Sequence, residues 1–261
     1  MRISGHERQR YDCQLVLKEV GERGQDALRH GSVLVVGAGG LGAPVLFYLA
    51  AAGVGHIGIA DDDVVELSNL QRQILFTTAD LGRPKAEVAA ERLATLNPEP
   101  EYEVHASRLM AASAADLIGP YDVIVTAVDN FPTRYLINDA CVLGGKTLVD
   151  GAVLRMTGLA MTIKGGETAC YRCLFPEPPP PASVVSCSEA GVLGPVPGLI
   201  GSVQALEVIK VLTGAGRPLY DRLLQYDGAA MTFTEVEVSR APACPVCGDE
   251  PTVTELTDLV L

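Results

Sequence analysis

Hydrophobic and polar positions fall into blocks along this 261-residue chain, and the blocks change period as they go. Residues 33–36 (VLVV) and 57–60 (IGIA) are short uninterrupted apolar runs, the pattern of strands buried on both faces of a parallel sheet. LGAPVLFYLAAAG between them reads as a helix. Pro44 falls in its first turn, where a missing N–H costs nothing, and Gly53 suits the left-handed residue that ends it. RPKAEVAAERLATLNP reads as a second helix, with Pro84 at its start, Pro98 just past its end and apolar residues at helical spacing. Tyr102–His105 and YDVIVTAVDN are further strands, and Leu67–Gln73 is a short helical turn. Residues 1–30 form a polar arm and a short helix.

From Lys146 the pattern shifts. TLVDGAV, GLAMTI and LLQYDGAAMTFTEVEV are strand-like, and the last carries an Asp-Gly turn signal. One amphipathic helix, GSVQALEVIKVLTG, crosses this part. The expectation is an α/β fold: a Rossmann-like nucleotide-binding sheet, parallel in its N-terminal half and continued by antiparallel strands. We read residues 1–261 as a single domain, with an arm (1–30), a first half (31–150) and a second half (151–261). The second half holds a crossover loop near 175–190, where PEPPPP reads as extended linker.

Composition narrows the function. A formal net charge of -12 argues against a broad nucleic-acid surface. No N-terminal signal segment or run of 18 or more apolar residues is present, so a cytoplasmic protein with no membrane association is expected. Seven cysteines, an odd number, argue against a disulfide framework. Four of them, Cys170 and Cys173 in CYRC and Cys244 and Cys247 in CPVC, form two C-x-x-C knuckles about seventy residues apart. Four thiolates in such pairs suit tetrahedral zinc with no open position, a structural site stapling the C-terminus; redox dithiols or buried thiols are the other readings. Cys141 reads as a small buried hydrophobe.

The candidate chemistry lies in the first half. Gly37, Gly39 and Gly42 follow a strand with G-x-G-x-x-G spacing, which lets phosphate approach backbone amides at a helix N-terminus. Asp61 stands where an acid would hold a ribose hydroxyl. That much is shared with NAD- and FAD-binding proteins. Asn69, Arg72, Lys85 and Asp129 are additional, and an arginine beside the phosphates suits breaking a phosphoanhydride rather than moving a hydride. Each has an ordinary alternative: a loop cap for Asp61, a surface ion pair for Arg72, a solvated side chain for Lys85 and a helix cap for Asp129.

GAGGLG, ADDDVVELSNLQRQ, GRPK, AVDN, CYRC, CSEAG and CPVC occur in the order found in the ThiF/MoeB/HesA adenylyltransferases, bacterial relatives of ubiquitin-activating enzymes. The chain resembles that family from about Arg10 to Cys247, and looks closer to ThiF than to MoeB. The resemblance implies ATP-dependent adenylation of the C-terminal Gly-Gly carboxylate of a small ubiquitin-like sulfur carrier, in thiamine thiazole synthesis, with molybdopterin synthesis the neighbouring route. It implies that Gly37, Gly39, Gly40 and Gly42 cradle the nucleotide and Asp61 holds its ribose. Asn69, Arg72 and Lys85 would contact phosphates, Asp129 would hold Mg2+, and Cys187 would be the loop cysteine of a second, sulfur-delivering step. A sulfur donor such as a cysteine desulfurase and a homodimer belong to the same picture. The family begins with Arg-Tyr-x-Arg-Gln; here RYDCQ puts Cys13 at the second arginine, whose charge would reach a neighbouring subunit's phosphates. An oxidoreductase and a non-catalytic ATP- and zinc-binding module are the readings of other classes.

Overall fold

The structure is a computed structural model that describes residues 3–180 and 190–259. Eight strands form one sheet in the order β3-β2-β1-β4-β5-β6-β7-β8. Strands β1 (Ser32–Val36), β2 (His56–Ala60), β3 (Glu101–His105), β4 (Val123–Thr126) and β5 (Thr147–Leu154) run parallel. Strands β6 (Thr157–Lys164), β7 (Arg222–Asp227) and β8 (Thr232–Glu237) continue antiparallel. The change of period at Lys146 falls one strand early: β5 still pairs parallel with β4, and the direction switches at β6.

Strand alternation divides the core in two. Val33, Val35, Ile57, Ile59, Val123 and Val125 pack on one face beneath α3 (Gly21–His30), α4 (Gly42–Ala52), α5 (Lys85–Leu96) and α9 (Pro195–Thr213). Leu34, Val36, Ile124, Leu148, Met161 and Ile163 pack on the other beneath α6 (Ala111–Ile118), α7 (Phe131–Leu143) and α8 (Tyr171–Leu174). The arm contributes α1 (Gly5–Arg10) and α2 (Asp12–Leu15).

Helix α9 departs from expectation. It begins at Pro195 rather than Gly201 and is buried on several sides rather than amphipathic. Pro195 and Pro197 both fit a first helical turn. Gly201 lets the helix touch α4, since a Cβ there would lie 2.4 Å from the Leu41 carbonyl oxygen. Side chains of Gln204 and Ile200 fill the spaces over Gly151 of β5 and Gly158 of β6. By length and apolarity α9 passes the test for a membrane-spanning helix, but it is packed against α3, α4, β5 and β6.

Strands β1 and β4 are neighbours from which the chain departs in opposite directions, toward β2 and toward β5. The crevice beyond their carboxyl ends is where open α/β sheets bind ligands, and Gly37, packed against Ala127, lines it together with Asp129.

Candidate functional site

A cavity of about 1210 Å³ opens at that crevice and runs from the glycine loop to the antiparallel strands. Gly37, with φ of 97°, makes the turn out of β1, and a Cβ on it would lie 2.5 Å from the Ala127 carbonyl oxygen. Gly42 starts α4 so close to the loop that its Cβ would meet the Gly37 oxygen at 1.9 Å. Gly39 and Gly40 line the cavity; Gly42 lies behind it as a packing glycine. Only the Gln73 side chain comes within 4 Å of a Cβ on Gly39, so space for a ligand is what remains to favour glycine there.

Asp61, at the end of β2, accepts bonds from the amides of Ala38 (2.7 Å) and Asp63 (3.0 Å) and so ties the glycine loop to the second strand. Burial pushes its carboxyl above the ordinary value, and the Ala38 amide and the Lys85 charge oppose that push. Lys85 is the first residue of α5, and the solvated alternative does not hold: it is 4% exposed and its ammonium donates to Asp63 at 2.8 Å. A cation at a helix N-terminus opposes the macrodipole, and burial adds to that cost. Arg72 follows the turn at Leu67–Asn69, is half-buried beside Gly40, and donates to the Ser68 carbonyl at 3.1 Å. Among the described residues it forms no ion pair. Asp129 is exposed in the cavity lining. The cap of α7 is not Asp129 but Asn130, whose Oδ1 accepts from the Thr133 amide at 3.0 Å.

Asp61, Arg72, Lys85 and Asp129 therefore share one cavity with Gly37, Gly39 and Gly40. Asn69 does not line it; the residue is buried, and its Oδ1 accepts from the Glu66 amide at 3.1 Å, closing its own turn. Cys187 lies outside the described residues. Cys13 is exposed on α2 away from this cavity, Arg8 is paired with Glu22, and Arg10 donates to the Leu96 carbonyl. Cys141 is fully buried, and burial pushes its thiol up.

Residues not singled out from the sequence complete the walls. Arg134 on α7 donates to Asp150 at 2.6 Å and to the carbonyls of Val128 (3.0 Å) and Gly151 (2.9 Å), fixing the end of β4 that carries Asp129. Gln73 is buried and lines the cavity, and its Oε1 has no partner. Its place inside LSNLQRQ was the available signal.

The four paired cysteines converge. Their sulfurs lie within 4.8 Å of one another, with Cys170–Cys244 at 3.6 Å, Cys173–Cys247 at 3.4 Å and Cys170–Cys247 at 3.5 Å. Zinc–sulfur bonds of about 2.3 Å in a tetrahedron set sulfurs about 3.8 Å apart, so the cluster fits that ion. The knuckle is tied to the cavity. Arg172, between its two cysteines, makes a two-pronged bond to Asp139 of α7, both contacts 2.7 Å, and donates to the Pro176 carbonyl at 3.0 Å. Tyr135 donates to the carbonyls of Phe175 (3.0 Å) and Glu177 (2.8 Å), and Phe175, Pro176 and Glu177 line the cavity. Beyond the second knuckle, Asp258 accepts from the Ala111 amide at 2.8 Å, capping α6 just after Ser107–Leu109 of the cavity wall.

Comparison with known proteins identifies relatives along nearly the whole chain. The ThiF family model matches residues 11–246. The chain is 52% identical over 263 aligned positions to a sulfur carrier protein adenylyltransferase of Thermus thermophilus, covering 99% of this chain and 97% of that protein. It is 48% identical to the mouse adenylyltransferase and sulfurtransferase MOCS3 over 98% of this chain, and spans 56% of that longer protein. Among solved structures, E. coli MccB with MccA-N7isoASN matches with a TM-score of 0.79 at 24% identity, covering 88% of this chain and 71% of that one. That last likeness concerns the fold alone. With the family model spanning nearly the whole chain and a relative more than half identical along its length, the chain belongs to the ThiF family.

Proposed function

We propose that the chain uses ATP to adenylate the C-terminal Gly-Gly carboxylate of a small ubiquitin-like sulfur carrier. The observation that carries this reading is a buried Lys85, and an Arg72 with no ion pair among the described residues, beside a glycine loop, with the Asp129 carboxylate unspent on capping. Hydride transfer breaks no phosphoanhydride and does not itself require charge of this kind beside the phosphates.

The carrier's α-carboxyl is ionised at pH 7, so attack needs no general base. One carboxylate oxygen bonds to the α-phosphorus, the α–β bridging P–O bond breaks, and its electrons leave with pyrophosphate. The demands on the protein are alignment of two anions and neutralisation of charge. The amides of the glycine loop and the charges of Arg72 and Lys85 supply the second. Asp61 retains lone pairs for a ribose hydroxyl after serving Ala38 and Asp63. Asn69, buried outside the cavity, would serve the phosphates through the turn it braces for Arg72: its side-chain oxygen accepts from the Glu66 amide and its carbonyl from the Arg72 amide. Asp129 is the residue that would hold Mg2+, which when bound offsets charge on the departing pyrophosphate. The four cysteines would hold structural zinc.

The adenylated carrier then meets a sulfur donor such as a cysteine desulfurase, and the working unit is a homodimer. We favour the thiazole route, on the run from Asp61 to Lys85. The test is carrier-dependent exchange of labelled pyrophosphate into ATP, run with thiazole-route and molybdopterin-route carriers. Exchange with the wild type and its loss in Asp129→Ala, with an unchanged circular dichroism spectrum, is the expected result. Near-normal exchange in that variant would contradict the role given to Asp129.

A further inference from the structure

Gln73 lines the cavity beside Gly39, and no hydrogen bond among the described residues explains its side chain. The residue is 4% exposed, yet its Oε1 has no hydrogen-bond partner, and its Nε2 makes no bond among the described residues. A buried amide left unpaired costs about 1–3 kcal/mol, so a packing role would be filled better by an apolar side chain. The amide is also aimed. Nε2 lies 3.5 Å from where a Cβ on Gly39 would stand, at the open glycine of the cradle, and Gly39, Gly40, Arg72 and Gln73 line one side of the cavity.

The chemistry facing it is restrictive. A phosphate at Gly39 offers only lone pairs, so of the two ends of the amide only Nε2 suits it, and the placement of Nε2 toward Gly39 agrees. We infer that Gln73 is a catalytic residue whose Nε2 donates to a non-bridging oxygen of the α-phosphate, the group attacked in adenylation. This deepens the adenylation reading and rests on it. In the trigonal-bipyramidal transition state that oxygen moves into the equatorial plane and gains charge, and a neutral donor fixed beside the cradle strengthens its bond as it does so. Arg72 and Lys85 supply net charge; Gln73 supplies direction. The bond breaks no covalent link and moves no proton.

The test needs no carrier. Titration calorimetry of the full chain with magnesium would compare ATP, adenosine and the two diastereomers of adenosine 5′-O-(1-thiotriphosphate), in the wild type, Gln73→Met and Gln73→Glu. Sulfur is a weak acceptor, so the wild type is expected to bind one diastereomer several-fold less tightly than the other. Gln73→Met, close in shape, is expected to bind ATP about tenfold more weakly and adenosine equally well, and to lose the preference between diastereomers. Its melting temperature should match or exceed that of the wild type, because the unpaired acceptor is gone. Gln73→Glu, placing a like charge at the phosphate, should lose more affinity for ATP than the methionine variant. Unchanged ATP affinity in Gln73→Met, an equal loss for adenosine, or a surviving diastereomer preference would overturn the contact. A wild type that binds ATP no better than adenosine would overturn it through the underlying reading, whereas a wild type that prefers ATP beside an unaffected methionine variant overturns the contact alone.

Discussion

Replacing Arg134 with methionine removes one partner of a buried ion pair. Arg134 and Asp150 are each 5% exposed, and the guanidinium is bonded to the Asp150 carboxylate and to two carbonyls, with the Tyr171 ring 5.7 Å away. The methionine keeps most of the volume and none of the donors. Breaking a buried pair in this way costs about 3–5 kcal/mol, because a charge is left uncompensated. At roughly 2–4 °C per kcal/mol in a chain of this size, the melting temperature should fall by about 6–20 °C. The loss should depend on pH. Burial already holds the Asp150 carboxyl above its ordinary value, and Arg134 opposes that rise. Without Arg134 the folded-state value climbs further, so between the unfolded and folded values the folded variant binds more protons than the unfolded chain. Stability then falls as pH rises through that window, and the deficit is greatest near neutrality and shrinks in mild acid. Urea unfolding at pH 7.5 and pH 5 measures both effects. Adding Asp150→Leu should recover much of the loss, since the stranded charge goes with it. A single variant within 1 kcal/mol of wild type at pH 7.5, or a deficit that does not change with pH, would refute the reasoning.

Three further outcomes are expected. Cys244→Ser should lower zinc content by atomic absorption and increase amide exchange in residues 170–177 and 241–259; unaltered zinc would remove the metal assignment. Gly37→Ala and Gly39→Ala should part company: the first forces a Cβ to 2.5 Å from a carbonyl oxygen at positive φ and should unfold at lower temperature, while the second leaves the melting temperature near wild type and weakens ATP binding. Asp258→Ala should cost about 1 kcal/mol through the lost cap on α6 and raise the KM for ATP by loosening Ser107–Leu109, measured by thermal melts and pyrophosphate exchange; an unchanged melting temperature would deny the cap.

The parallel half of the sheet was legible because its strands are buried on both faces and so read as unbroken apolar runs. The cradle was legible from its glycine spacing: Gly42 answers a backbone contact with Gly37 a few residues earlier, whereas the contact that demands Gly37 comes from Ala127 on the neighbouring strand's end and has no local signal. The cap of α7 was not: Asp129 and Asn130 are both good capping residues, and the backbone at the end of β4 decides between them. The first turn of α9 was hidden because PVPG reads as a breaker, although both prolines fit a helix start. Helix position alone left a solvated alternative open for Lys85; the partner that closes it, Asp63, lies twenty-two positions earlier. Arg134, Asp150 and Gln73 carry no motif of their own chemistry. Their roles arise from the approach of α7 to β5 and of the Leu67–Gln73 turn to the glycine loop, which no local pattern encodes.

The distance between the knuckles has a consequence for biosynthesis. Cys170 and Cys244 are 74 positions apart, and the wall at Phe175–Glu177 is braced by residues that the first knuckle holds. At about 5–20 residues per second, the ribosome needs roughly 4–15 s to pass from one to the other. During that interval the phosphate cradle is already out of the exit tunnel while two thiols wait without their partners. The nascent chain therefore has its nucleotide-facing loop before the far wall of the cavity can lock, and the site closes only once the second knuckle has emerged.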